Sequence, residues 1–337
     1  MREKDRFGME YYFAPLEGIT GYVYRNTHHK FFPGTDRYYT PFAAPNYTKN
    51  FKPREKQDIA PENNAGVPLV PQILSNKADE TLWAVEEMVQ RGYGEVNLNL
   101  GCPMPTVARK KKGSGLLKYT DELDAYLEGV FEGIARRPAE CPPVRISVKT
   151  RLGTDSTQEA EALVRIYNRY PISELIVHPR SREDMYRGKP DREAFLLVLQ
   201  NSVNPVVYNG NINCKEDVDE VRRACEAAGK PIGSVMIGRG FLADPSLARQ
   251  CQGGELISAR ELEAFHAELY SRLGETLPGT AVVLSHMKEL WFYMGQLFPE
   301  GGKCLKEIRR ANNRVQYEAA VRVLLSSCRI ERLKRGL

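Results

Sequence analysis

Eight short apolar runs, each followed by a longer segment of helical period, constrain this chain more than any other feature. The runs are YYFAP (11–15), RYYTPF (37–42), PLVPQIL (68–74), EVNLNL (95–100), RISVKT (145–150), ELIVHP (174–179), PVVYNG (205–210) and VMIG (235–238). They are rich in Val, Ile, Leu and Tyr and too short for helices. Between them, residues 76–92 carry Ala78, Leu82, Val85 and Val89 at helical spacing, with Asn76 as the expected N-cap and Asp79 in the first turn. Thr120 opens another helix. Asp121 and Glu122 sit at the positive end of its dipole, and Leu123, Leu127, Val130 and Ile134 share one face. Residues 158–170, 192–200 and 215–228 repeat the pattern. Only 43–66 is polar and irregular, with room for a short helix at most. Eight strand–helix units over about 240 residues predict the α/β class and a (β/α)8 TIM barrel. An open doubly wound sheet would normally carry GxGxxG after its first strand, where this chain has PLEGIT.

The pattern changes after residue 252. Ser258-Ala-Arg-Glu261 is a capping box, and Leu262, Phe265, Leu269 and Leu273 then run down one face. Helical stretches over 282–297 and 305–326 follow. The chain is thus expected to hold a catalytic barrel over 1–252 and a small helical bundle domain over 255–337, with Gly253-Gly254 between them.

Charge separates the same two parts. The formal net charge is +5, but residues 300–337 alone hold ten Lys/Arg against four Glu, a net of +6. A basic terminal segment beside a near-neutral body points to a polyanionic partner. The seven cysteines (102, 141, 214, 225, 251, 304 and 328) form no CxxC pair, which argues against a disulfide framework or a cysteine-rich metal site and for a reducing cytoplasm. No apolar run is long enough for a membrane span, and the charged start MREKDRFGME lacks a signal core.

In such a barrel, chemistry gathers at the carboxyl ends of the strands. Those ends carry Pro15-Leu16-Glu17, Gln72, Asn97 and Asn99 with Cys102, Lys149 with Arg151, His178 with Arg180, Asn209-Gly210-Asn211 and Gly238-Arg239. Lys149 ends an apolar strand, so its amine needs an anionic or electron-rich neighbour. An ion pair with an acid and the Schiff-base lysine of an aldolase are both open to it. His178 stands alone, outside any metal-binding spacing, and also suits a hydrogen-bonded core histidine. Loops after the last two strands often hold a phosphate, which suits NGN and GRG. Cys102 lies between Gly101 and Pro103, just past a strand end. It enters a loop with the basic run Arg109-Lys110-Lys111-Lys112, which fits either a solvated surface or a grip on phosphates.

Taken together, APLEGIT, VPQIL, NLNLGCPMPTVARKKKGSGLLK, ISVKTRLG, LIVHPRSREDMYRGKPD, PVVYNGNI and VMIGRGFLADP resemble the tRNA-dihydrouridine synthases. The motifs run in that family's order from Ala14 to Pro245, and the helical tail matches its C-terminal domain. The resemblance implies an FMN-dependent enzyme that reduces the C5=C6 bond of uridine in tRNA, with NADPH as reductant. It implies Cys102 as proton donor and Pro15, Leu16, Glu17, Gln72, Lys149, His178, Asn209, Gly210, Asn211, Gly238 and Arg239 as cofactor-binding residues. Asn99, Arg151 and Arg180 fall where substrate contacts are expected. Leu16 stands where methionine is common. Asn211 stands where an acid is common, which shifts its expected contact to the backbone amide.

The chemistry suits that layout. Hydride added at C6 from reduced flavin places charge on C5 and O4, and a thiol above the base can protonate C5 as a general acid. The thiol must then be protonated at rest, so the neighbouring lysines are expected to point outward to RNA. The base must be extruded from folded RNA. A cytoplasmic, metal-free monomer is expected. The competing readings are a flavin barrel acting on a free pyrimidine, which would not need the basic tail, a non-catalytic RNA-binding barrel, and the Lys149 aldolase.

Overall fold

The structure is a computed structural model and describes residues 8–335. Along the chain come β1 (Glu10–Phe13), α1 (Tyr22–Phe31), β2 (Arg37–Tyr39), α2 (Pro53–Ile59), β3 (Leu69–Val70), β4 (Gln72–Ile73), α3 (Ala78–Gln90) and β5 (Glu95–Leu100). Then follow α4 (Pro105–Ala108), α5 (Thr120–Ala135), β6 (Arg145–Arg151), α6 (Ala160–Tyr167), β7 (Leu175–His178), α7 (Arg192–Asn201), β8 (Val206–Tyr208), α8 (Lys215–Ala227) and β9 (Ser234–Ile237). The remaining helices are α9 (Arg239–Ala243), α10 (Leu247–Cys251), α11 (Ala259–Thr276), α12 (Thr280–Met294), α13 (Gly302–Arg310) and α14 (Arg314–Ser327).

The nine strands among the described residues form one sheet in the order β3-β2-β1-β9-β8-β7-β6-β5-β4, and the pairings between them are parallel. Its two ends, β3 and β4, are halves of one extended run split by Pro71. That proline has no N–H to give, but its carbonyl accepts from Asn97 N at 2.9 Å, while Gln72 N donates to Thr40 Oγ1 at 2.9 Å. The sheet is therefore a nearly closed barrel with eight strand positions, which are the eight apolar runs of the sequence.

Side chains prove which face is inside. Arg37 on β2 reaches Glu174, just before β7, at 2.8 Å, although those strands are not neighbours. The contact can only cross the interior. Glu95, Asn97 and Asn99 share that inward face of β5, while Val96, Leu98 and Leu100 face the helices. All six are buried, as expected of a strand covered on both sides. Tyr12, Ala14, Tyr39, Val70, Ile176, Val207 and Met236 form the apolar layer of the interior.

The chain divides into two compact units. One takes the described residues up to Pro15 with 36–210 and 220–236; the other takes 16–35, 211–219 and 237 onward. In the second unit, Ser258 caps α11 as its sequence predicts: Glu261 N donates to Ser258 Oγ at 3.2 Å and Ser258 N to Glu261 Oε2 at 2.9 Å. The expected helix over 305–326 is two helices. Asn313 interrupts it by accepting from Gln316 N at 2.9 Å, and Gln316 returns the bond to Asn312 N at 2.9 Å, so α14 gets its own N-terminal cap. In the first unit Asn76 does not cap α3. Lys77 holds that position, and Asn76 Nδ2 donates instead to the Lys110 carbonyl at 3.2 Å.

Candidate active site at the carboxyl ends of the strands

The first unit brings Gln72, Asn99, Cys102, Lys149, Arg151, His178, Arg180, Asn209 and Gly210 to the carboxyl ends of adjacent strands. Register explains the grouping. Asn99 lies opposite Lys149, and Arg151 opposite His178. Gln72 and Asn99 are linked by a hydrogen bond of 2.7 Å.

Cys102 is held from two sides. Asn99 Oδ1 accepts from Gly101 N at 3.1 Å and from Cys102 N at 2.9 Å. The Cys102 carbonyl accepts from Ser114 N at 3.1 Å and Ser114 Oγ at 2.9 Å, which folds the following loop back onto it. Gly113 makes that return possible. It has a φ of +57°, and a Cβ there would lie 2.8 Å from the Cys102 carbonyl oxygen. The thiol is half-buried, and it lies within electrostatic reach of Lys149 and Arg151.

Lys149 is the unusual group. Its side chain is half-buried and has no hydrogen-bond or ion-pair partner among the described residues. Burial, and then the neighbouring Arg151, pull its amine down to about 7, against a small opposite pull from Cys102. Arg151 is buried and braced by carbonyls: Nε donates to Gly101 O at 3.1 Å and Nη1 to Ser181 O at 2.7 Å. Burial likewise lowers its guanidinium. Arg180 donates to the carbonyls of Arg187 at 3.2 Å and Gly188 at 2.7 Å, ordering the loop after β7. Its Nη1 lies 2.9 Å from His178 Nε2. An arginine only donates, so that ring nitrogen accepts and the ring proton sits on Nδ1.

Asn209 Nδ2 donates to the Met236 carbonyl at 2.8 Å. A side chain at Gly210 would force the buried Tyr208 ring to move, because a Cβ would stand 2.1 Å from its hydroxyl. In the second unit, the Leu16 carbonyl accepts from Ile19 and Thr20 at 3.0 Å, and Glu17 is exposed on the same turn. Asn211 Oδ1 accepts from Arg239 Nη2 at 2.9 Å, so its side chain orients the arginine. Gly238 precedes Arg239 as the first residue outside α9.

The basic loop is less available than its sequence suggests. Lys111 pairs with Glu122 at 2.5 Å and Lys112 with Glu80 at 3.7 Å. Both amines are thereby held to carboxylates, and Arg109 and Lys110 remain as its exposed cations.

A family model described as dihydrouridine synthase matches residues 12–328. The chain belongs to the dihydrouridine synthase family. Among curated relatives, tRNA-dihydrouridine synthase B of Pasteurella multocida is 27% identical over 84% of this chain and 78% of its own. The tRNA-dihydrouridine(16) synthase of Pseudomonas syringae is 32% identical over 56% of each chain, and that of Aquipseudomonas alcaligenes is 26% identical over 90% of this chain and 95% of its own. The resemblance carried by the sequence motifs is thus confirmed, and the protein is an oxidoreductase.

One group in this synthase was not named among the strand ends. Tyr186 is an exposed aromatic (54%) whose ring lies 5.4 Å from the Arg151 guanidinium carbon and 6.3 Å from the His178 ring. Its signals in the sequence were its place in a loop after a strand and within the motif LIVHPRSREDMYRGKPD, neither of which gave it a role. Asn97 was named with Asn99 at the fourth strand, but its inward neighbours Gln72 and Ser147 were not legible as its partners.

Proposed function

We propose that this synthase reduces the C5=C6 bond of uridine in tRNA, with FMN held at the barrel mouth and Cys102 as the proton donor. The observation that carries this reading is Lys149. A half-buried amine without a carboxylate, beside a thiol and an arginine, suits an electron-rich planar ligand. The donor set fits FMN: Lys149 and Gln72 for the ring system, and Asn209, Gly210, Asn211, Gly238 and Arg239 for the phosphate end. Pro15, Leu16, Glu17 and His178 complete that assignment. When bound, FMN supplies hydride, with NADPH as the source of its electrons.

The chain's own residues do the rest. Cys102 holds the proton destined for C5, and the bonds from Asn99 and Ser114 fix the turn that presents it. Asn99, Arg151 and Arg180 address the uracil, and Tyr186 offers a ring face beside it. Ordered loops after β5 and β7 limit water at the proton.

The helical segment over 255–337 takes the RNA. All ten Lys/Arg of residues 300–335 are exposed, and among the described residues ion pairs join Arg310 to Glu307, Arg314 to Glu318 and Arg335 to Asp217 and none of the other seven. A groove of about 700 Å³ in the second unit is lined by Tyr270, Arg314 and Arg322 together with Glu263 and Glu318. Phosphate contacts of this kind position the RNA without reading its bases. No helix among the described residues is long and apolar enough to cross a membrane. The working reading is a cytoplasmic, metal-free monomer.

Mass mapping of dihydrouridine in tRNA from a strain lacking the protein tests this. Wild-type chain restores the missing dihydrouridine and Cys102→Ala does not; an unchanged map overturns the reading. The purified protein is expected to be yellow and to bleach with NADPH. A colourless protein trapped by borohydride on a carbonyl substrate would establish the aldolase instead.

A further inference from the structure

A single file of hydrogen bonds runs through the barrel interior from Glu95, at the amino end of β5, to the backbone of Cys102. Gly101 N and Cys102 N donate to Asn99 Oδ1 at 3.1 and 2.9 Å, and Asn99 Nδ2 donates to Gln72 Oε1 at 2.7 Å. Gln72 Nε2 donates to Asn97 Oδ1 at 2.8 Å, Asn97 Nδ2 to Ser147 Oγ at 3.0 Å, and Ser147 Oγ to Glu95 Oε1 at 2.9 Å. Every member is buried: Gln72, Asn97 and Ser147 are 0% exposed, Glu95 6% and Asn99 8%.

The sense of the file is fixed at both ends. A side-chain amide alone could sit either way round. Here the Glu95 carboxylate, paired with Arg145 at 2.8 Å, only accepts, so the Ser147 hydroxyl must donate to it. The Ser147 oxygen is then left to accept, which turns the Asn97 amide nitrogen toward it and the Asn97 oxygen toward Gln72. Gln72 and Asn99 are oriented in turn. At the far end two backbone N–H groups require an acceptor, and Asn99 presents one. All the dipoles align head to tail, an arrangement in which each bond strengthens the next.

We propose that Asn97 and Ser147 are positioning residues for the Cys102 thiol, acting through Gln72 and Asn99 to hold the turn that carries it. This rests on the reading of Cys102 as proton donor. A barrel interior is ordinarily filled by branched apolar side chains. A file of buried amides is a poor filler but an effective rotational lock, because reversing one amide unpairs its neighbours on both sides. Ser147 pairs in register with Asn97, two residues before Lys149, and its hydroxyl bonds to Asn97 and Glu95, so the effect of that hydroxyl on the thiol is expected to travel through the file.

The test compares Ser147→Ala, which removes the hydroxyl, with Ser147→Thr, which keeps it. Two readouts are taken on the purified holoenzyme. One is the split of kcat and KM for tRNA together with bound flavin. The other is the pH profile of Cys102 alkylation by iodoacetamide, read by mass on the Cys102 peptide. Ser147→Ala is expected to keep flavin content and KM within about twofold and to lose roughly tenfold in kcat, the scale of one buried hydrogen bond. The alkylation profile is expected to move by about half a pH unit or more. Ser147→Thr restores both. Unmoved kcat and alkylation in Ser147→Ala, or failure of Ser147→Thr to restore them, overturns the proposal. Should Ser147→Ala not yield soluble protein, Asn97→Asp carries the same comparison, because it keeps the shape and replaces the donor to Ser147 by an acceptor. Wild-type dihydrouridine formation by Cys102→Ala would defeat the proton-donor reading, while the alkylation profile would still test the file.

Discussion

The two ends of this barrel are built from the same strands and treat charge in opposite ways. At the amino ends, Arg37 lies 2.8 Å from Glu174 and 3.4 Å from Glu95, and Arg145 lies 2.8 Å from Glu95. The Tyr12 hydroxyl sits 2.9 Å from both Glu10 and Glu174. Each cation there meets a carboxylate. Four residues along β6 from Arg145, roughly 13 Å up the strand, Lys149 meets none. Burial raises the Glu174 carboxyl and lowers the Lys149 amine to about 7, but at the lower end Arg37 offsets part of the effect, and at the upper end Arg151 adds to it. Where the fold needs only itself, charges are paired. At the proposed working end, a cation is left without a carboxylate among the described residues. The imbalance marks the working end without reference to any motif.

The largest expected effect lies at the working end. Cys102→Ala should lower dihydrouridine formation by about 10³-fold, within the usual range for loss of a general acid, and leave the melting temperature unchanged. Quantified dihydrouridine in a single-turnover tRNA digest checks the first, and differential scanning fluorimetry the second. A variant that melts earlier would give Cys102 the structural role assigned here only to the other end. The mirror-image change is Arg37→Met. It leaves Glu174 without its cation while Arg145 still pairs with Glu95, and removal of one partner from a largely buried ion pair costs about 3 kcal/mol. Urea unfolding checks that cost. Turnover of the folded fraction should fall by no more than about twofold, because Arg145 still holds Glu95 at the foot of the hydrogen-bonded file, and a larger loss would make Arg37 a further anchor of that file.

That contrast was only half legible in the sequence. The alternation in EVNLNL placed Asn97 and Asn99 on one face, and counting strand ends placed Lys149 and Cys102 near each other. Glu95 and Arg37 looked like ordinary boundary charges, because their meeting depends on closure of the sheet, which brings β2 across from β7. Pro71 hid the continuity of the third strand from any hydrogen-bond rule, although PLVPQIL reads as one run. The helix α1 was expected between the first two strands but given no bounds, because YVYRNTHHKF has no clear apolar stripe. Lys111 and Lys112 looked free because Glu122 and Glu80 come from other elements. What sequence carries well is period and local caps, as at Ser258. What it carries poorly is which polar group meets which across the interior.

At the working end, Lys149→Met should show opposite signs in stability and function. The lysine's folded-state pKa lies below its unfolded value of 10.5. Below pH about 7 the amine is charged in both states, so the fold carries the full penalty. Between about 7 and 10.5 the folded state sheds the proton first, and the penalty fades as pH rises. Flavin-free Lys149→Met should therefore be more stable than wild type by about 2 kcal/mol at acid pH, less than the whole shift because the side chain is partly wetted. The gain should vanish near pH 10. Urea titrations at both pH values check this, and the flavin retained on purification should drop. A destabilised variant would mean that the amine has a partner after all.

The finest distinction concerns one oxygen. Glu95 Oε2 is shared by Arg145, whose side chain is 64% exposed, and Arg37, whose side chain is 25% exposed. Distance alone favours Arg145, at 2.8 Å against 3.4 Å. Solvent decides otherwise. An exposed guanidinium keeps most of its hydration and is screened by salt, so Arg145→Ala should cost about 0.5 kcal/mol, a small fraction of the Arg37→Met penalty. Raising the salt concentration should shrink the Arg145 effect toward zero and leave the Arg37 effect in place, because ions screen a wet pair and not a dry one. Urea midpoints of the two variants at low and high salt check both statements. Equal costs would show that the amino end is wetter than its burial indicates, and would remove the contrast on which the assignment of Lys149 as the group awaiting a ligand depends.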